Sequence, residues 1–182
     1  MMVKGGTAVE ILDDFREGST FQSLVELYVY DKRLKILMLD VLERIEIALR
    51  ANITLQLGQY SPWAYREGDF LNQGFVNKIH PGKTESVYTT LIDRFDSMVV
   101  NSKSESVEHF RNKYSSHLPI WAAVELWDFG MLSKFYSGLK YKDQIAIANI
   151  YGLQKKPEVL ASWIRTLADV RNICAHHGRL WN

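Results

Sequence analysis

The chain has 182 residues and a net charge of only +1, from 22 basic and 21 acidic side chains. That balance excludes the strongly basic surface typical of a nucleic-acid binder, so any such function must rest on a local site. Hydrophobic residues at 47% and charged residues at 24% describe one globular domain over 1–182, and the single cysteine, Cys174, excludes an intrachain disulfide.

Residues 1–6 are followed by no apolar h-region, so no secretory signal is expected; a reducing cytoplasm is the expected location. Residues 1–14 are expected to be poorly ordered. The most apolar run, 34–57, carries Lys35, Asp40, Glu43, Arg44, Glu46 and Arg50, which excludes a transmembrane helix and with it a membrane partner.

Helical periodicity dominates from there on, and strand signals are weak. Ser19 or Thr20 can cap a first helix ending at Tyr30. A break at Tyr30-Asp31 then leads into a long helix over 32–57, closed by Gly58. Its stripe is Leu34, Met38, Val41, Leu42, Ile45, Ala48, Leu49 and Ile53, widened by Ile36, Leu37, Leu39 and Ile47. Apolar surface on more than one side predicts a central helix with neighbours on both faces. Residues 59–82 read as an irregular connection pinned by Trp63, Tyr65, Phe70 and Phe75. Further helices are predicted over 84–100, 104–114, 120–139 (opened by Pro119) and 143–151 (stopped by Gly152). The last begins at Pro157-Glu158 and runs to His177, with Gly178 as a left-handed cap. The fold class is an all-α, single-domain helical bundle.

The end of that helix, Arg171-Asn172-Ile173-Cys174-Ala175-His176-His177-Gly178, is the most chemically pointed stretch. Arginine offers a planar, permanently charged fork that suits a phosphate, and histidine titrates near neutral pH. The stripe Leu160, Trp163, Ile164, Leu167, Ala168, Cys174 and Ala175 turns position 171 towards the protein. A guanidinium there needs a carboxylate, a carbonyl or a bound anion as partner; Glu46 and Glu125 are the strongest candidates by patterning. His176 lies about 140° further around a regular helix. The last turn must therefore tighten or fray, the site must straddle the helix edge, or two chains must share a cleft; the dimeric cleft is favoured. At a helix C-terminus imidazolium is stabilised, so one histidine can donate a proton while another accepts one. His177 can equally cap terminal carbonyls.

Arg171-Asn172 followed by His176 resembles the R-x(4–6)-H motif of the HEPN superfamily, helical proteins many of which are metal-independent endoribonucleases. The residues around it are more specific. Residues 21–28, 30–34 and 42–50 look like the opening blocks of the Abi-like family (AbiD/AbiF type). Pro119-Ile120-Trp121, Glu125 and Phe129-Gly130-Met131-Leu132-Ser133 resemble its middle block, and 163–182 its closing block. Its members are bacterial abortive-infection proteins that act against phages, some restrained as toxins by an antitoxin of RNA or protein. The resemblance implies RNA cleavage at a homodimer interface, without metal or cofactor, leaving a 2′,3′-cyclic phosphate and a 5′-hydroxyl. Carried over, Arg171 binds the scissile phosphate, His176 is general acid or base, and Asn172 orients one of them. Glu46 and Arg50 take a supporting ion-pair role.

Other candidates are weaker. Tyr60, Trp63 and Tyr65 could stack on bases but more commonly anchor a loop. Lys103, Arg111 and Lys113 read as a solvated face. His109 and His117 have no metal-ligand spacing, and neither a phosphate-binding glycine loop nor Gly-x-Ser-x-Gly is present. Two classes stay open: an endoribonuclease built on Arg171 and His176, or a non-catalytic helical module that binds RNA or protein and uses Arg171 as a structural ion pair.

Overall fold

Thr20 launches the first helix by a reciprocal cap: its hydroxyl accepts the Ser23 N–H at 3.1 Å, and Ser23 Oγ accepts the Thr20 N–H at 3.2 Å. The computed structural model describes residues 18–114, 117–176 and 178–180, and among these it has eight α-helices and no sheet. The expectation for residues 1–14 falls outside them, as does His177. Helix α1 (Phe21–Gly58) is 38 residues long, about 57 Å at 1.5 Å per residue. Then follow α2 (Gln73–Val76), α3 (Val87–Asn101), α4 (Glu105–Tyr114), α5 (Ile120–Ala123), α6 (Phe129–Gly138), α7 (Tyr141–Ile150) and α8 (Pro157–Ala175).

The expected break at Tyr30-Asp31 does not occur. Asp31 is 7% exposed, lies 2.5 Å from Lys35 Nζ and accepts the Leu180 N–H at 3.0 Å. It is a docking point for the end of the chain, so its carboxylate has no need to cap a new helix. Lys35 holds the Asp31 carboxyl below its ordinary 3.8, burial opposes this, and the Leu180 N–H adds to the lowering. A depressed carboxyl contributes stability above its unfolded pKa and loses it as pH falls through the folded one. Acid unfolding monitored by circular dichroism is therefore expected to steepen below about pH 4. Asp31→Asn should lose that stabilisation at neutral pH and flatten this part of the curve.

Neighbours on both faces of the long helix are not found either. Leu42, Leu49, Ile53 and Leu57 are buried against α5–α8, whereas Ile36 (60%), Leu37 (63%), Val41 (45%) and Ile47 (56%) are exposed. Helix α1 flanks the bundle, and its first ten residues are exposed on every side. Nor does Gly58 close it by a left-handed turn, because the following Gln59 keeps right-handed helical dihedrals.

The single helix expected over 120–139 is two. Helix α5 passes through a 3-10 turn at Val124–Leu126, Trp127 extends (φ −76°, ψ 121°), and Asp128 Oδ1 accepts the Met131 N–H at 2.7 Å to start α6. The break drives Trp127 into the core, where it stacks on Phe135 at 3.8 Å and meets Tyr65 and Phe95 edge-on.

The connection over 59–82 is irregular as expected, apart from a short 3-10 turn (Gly68–Phe70) and α2. Tyr65, Tyr60, Phe70 and Phe75 anchor it as expected, but Trp63 does not: it is 41% exposed. Tyr65 is fully buried and donates to the Leu118 carbonyl at 2.7 Å; Tyr60 stacks on Phe70 and donates to the buried Asp143 carboxylate at 2.9 Å. Phe75 packs on Gly138 so closely that a Cβ there would stand 2.5 Å from its ring. Gly138→Ala is expected to destabilise by about 1–3 kcal/mol, readable as a lowered urea midpoint, because the overpacked ring is pinned by backbone pairing beside it. That pairing includes the Asn72 N–H to the Gly138 carbonyl at 2.9 Å.

Helix α8 ends at Ala175, not His177. His176 is extended (φ −107°, ψ 173°), and the left-handed glycines among the described residues are Gly18, Gly82 and Gly152, so Gly178 is no helix cap. Trp163, placed on the apolar stripe by its spacing, is 51% exposed.

Candidate functional site

Leu160, Ile164, Ala168 and Cys174 form the buried side of α8, and Arg171 is half-buried on that side. It lines a cavity of about 440 Å³ between α8, α1 and the 3-10 turn at 124–126. Helix α1 contributes Glu43, Glu46 and Arg50, the turn contributes Glu125, and Leu42 and Ile47 supply apolar surface. The structure thus gathers Arg171, Glu46, Arg50 and Glu125 from three distant stretches of sequence.

Within this group one pair is closed. Arg50 Nη2 donates to Glu46 Oε1 at 2.5 Å and to the Trp127 carbonyl at 2.8 Å, with side chains 21% and 15% exposed. A guanidinium tied at once to a carboxylate and a backbone carbonyl is held rigidly, and it clamps α1 to the break between α5 and α6. The expected pairing of Arg171 with Glu46 or Glu125 is absent. Among the described residues Arg171 makes no ion pair and no hydrogen bond. Glu46 is already taken by Arg50, and Glu125 is exposed on the rim. Arg171 is therefore a cation half-withdrawn from water and, among the described residues, unpartnered, a state in which a bound anion adds a charge-assisted hydrogen-bond partner.

His176 and Asn172 are both exposed, and neither lines that cavity. The last turn of α8 stays α-helical, its end marked by the His176 N–H on the Asn172 carbonyl at 3.0 Å. No tightening swings the histidine round to Arg171. One chain alone does not bring the two into the same cavity.

Cys174 is buried, and burial pushes its thiol above its ordinary value. His109 and His117 are exposed, and among the described residues no group of three His, Cys, Asp or Glu could hold a metal ion. Lys103 and Lys113 are solvent-facing, and Arg111 is partly covered. No helix of the described residues is long and apolar enough to cross a membrane.

Sequence reasoning passed over two residues at this site. Glu43 reads only as a charge in the apolar run, and Trp121 only as part of the family-like middle block; Glu43 lines the cavity, and Trp121 is 52% exposed beside Glu125.

Fold and site together define an all-helical protein whose last helix presents to an open, charged cavity a guanidinium that is unpaired among the described residues. A family model described as Abi-like protein matches residues 7–182, nearly the whole chain, and the chain belongs to that family. No curated protein and no solved structure matches it.

Proposed function

We propose that this protein is a metal-independent endoribonuclease of abortive phage defence, of the HEPN type, with Arg171 and His176 in its active site. The observation that carries the reading is the Arg171 side chain, half-buried at an open cavity and, among the described residues, bound to no carboxylate. A phosphodiester supplies the missing partner. With Arg171 holding the two non-bridging oxygens, one imidazole takes the 2′-hydroxyl proton and the 2′-oxygen attacks phosphorus. A second proton donor protonates the leaving 5′-oxygen, giving a 2′,3′-cyclic phosphate and a 5′-hydroxyl. Asn172, beside Arg171 in sequence, orients phosphate or ring.

A second copy of the chain completes the site. Its docking surface is the outer half of α1, where Phe21 (81%), Leu24 (44%) and Tyr28 (69%) are exposed together, more apolar surface than a free helix keeps in water. Leu180 is bonded to Asp31, so the stretch that follows α8 lies beside the same part of α1.

Purified protein is expected to cleave total RNA in EDTA and to leave cyclic-phosphate ends. Intact RNA with wild-type protein that sedimentation shows to be dimeric would refute the reading.

A further inference from the structure

A second cavity, of about 560 Å³, adjoins the one at Arg171 and shares Ile47, Arg50 and Glu125 with it. Its other walls include Trp121, Thr54 and Leu55. Around Trp121 the first turn of α5 is buried, with Ile120 and Ala123 at 0% and Ala122 at 8%, yet the indole itself is 52% exposed. Four residues on, Glu125 stands on the 3-10 turn, and among the described residues its carboxylate accepts no hydrogen bond and makes no ion pair. Leu55 (67%) and Ile47 (56%) add exposed aliphatic surface. An open indole, an aliphatic wall and a free carboxylate at one rim make a slot for a flat, partly apolar ring with donors along one edge.

We propose that this cavity binds a guanine base, the base of the nucleotide whose 3′-phosphate sits on Arg171. The carboxylate makes the choice. Guanine alone among the RNA bases presents two adjacent N–H donors, at N1 and N2, matching the two oxygens of Glu125. Adenine and cytosine offer one amino group beside an acceptor nitrogen, and uracil one N–H between two carbonyls, so a carboxylate meets a repelling lone pair in each. Trp121 stacks on the ring and favours any base, so affinity and selectivity come from different residues. A guanidinium from a protein partner offers the same paired donors, but it brings no anion for Arg171, whereas a nucleotide carries its phosphate with it. The proposal rests on the reading of the chain as an RNA-cutting enzyme, and it gives that enzyme a preference for cutting after guanosine.

The test is calorimetric binding of guanosine 3′-monophosphate in EDTA, with the adenosine and cytidine 3′-monophosphates as controls. The guanosine nucleotide is expected to bind at least about tenfold more tightly. Glu125→Gln should abolish that preference, weakening the guanosine nucleotide and relieving the repulsion on the adenosine one, and Trp121→Ala should weaken all three; both positions are exposed, so circular dichroism melting should match wild type. Equal binding of the three nucleotides, or a preference indifferent to Glu125→Gln, overturns the proposal, as does Glu125-dependent binding of a blocked arginine in place of the nucleotide. The two readings fail separately. Cleavage without guanosine preference sinks the base site alone; guanosine-selective binding through Glu125 without any cleavage sinks the nuclease and leaves the base site standing.

Discussion

Arg171→Ala is expected to lower RNA cleavage by about 10²–10³-fold, the usual loss when one preorganised donor to a developing oxyanion is removed. The same change should barely alter stability. Arg171 has no ion-pair partner among the described residues, so truncation strands no buried carboxylate. A melting temperature within about 2–4 °C of wild type, roughly 1 kcal/mol for a chain of this size, is the expected companion result. An arginine engaged in a buried ion pair behaves oppositely: its removal costs about 3–5 kcal/mol. One variant measured in two assays therefore separates an anion site from a structural cation. Arg171→Lys keeps the charge and loses the planar fork, so its activity should fall well below wild type. His176→Ala, an exposed substitution beyond the end of α8, should lower cleavage by about 10²–10⁴-fold through loss of proton transfer. Its melting curve should overlay that of wild type.

The largest stability loss is expected at Trp127. Its indole is fully buried, parallel to Phe135 at 3.8 Å and 4°, with Tyr65 at 5.8 Å and Phe95 at 6.5 Å against its other sides. Trp127→Ala empties the centre of this cluster and should cost about 3–5 kcal/mol, lowering the thermal midpoint by roughly 10 °C or more. Trp127→Phe keeps the stack. The indole N–H has no hydrogen-bond partner among the described residues, so losing it strands no acceptor and the variant should be far less damaged. The effect reaches the site as well. The Trp127 carbonyl accepts from Arg50 at 2.8 Å, so loosening this turn frees the clamp that shapes the cavity. Cleavage by Trp127→Ala should decline at temperatures below its melting transition, where Trp127→Phe stays active.

Much of the secondary structure is legible in the residues. The Thr20-Ser23 cap, Pro157 at the head of α8 and the left-handed Gly152 after α7 are local signals, and each acts within one turn of where it stands. The inward placement of Arg171 also follows from spacing alone, since the stripe from Leu160 to Cys174 passes through it. The two misread breaks have one cause. An aspartate starts a helix when its carboxylate has backbone N–H groups to cap, as Asp128 does, and continues one when a distant group satisfies it, as Lys35 and Leu180 do for Asp31. Which applies depends on residues far along the chain.

The sequence by itself determined an all-helical chain, a cation turned inward near its end, and the residue types available for phosphate chemistry, because helical period and capping are set by neighbours three and four positions apart. Tertiary structure alone decided that Glu46 is held by Arg50, that Arg171 stands unpaired among the described residues, and that Trp121 opens to solvent beside Glu125. Those outcomes turn on competition among side chains brought together from three parts of the chain. A carboxylate claimed by one guanidinium is no longer available to another, and no local pattern records which one reached it.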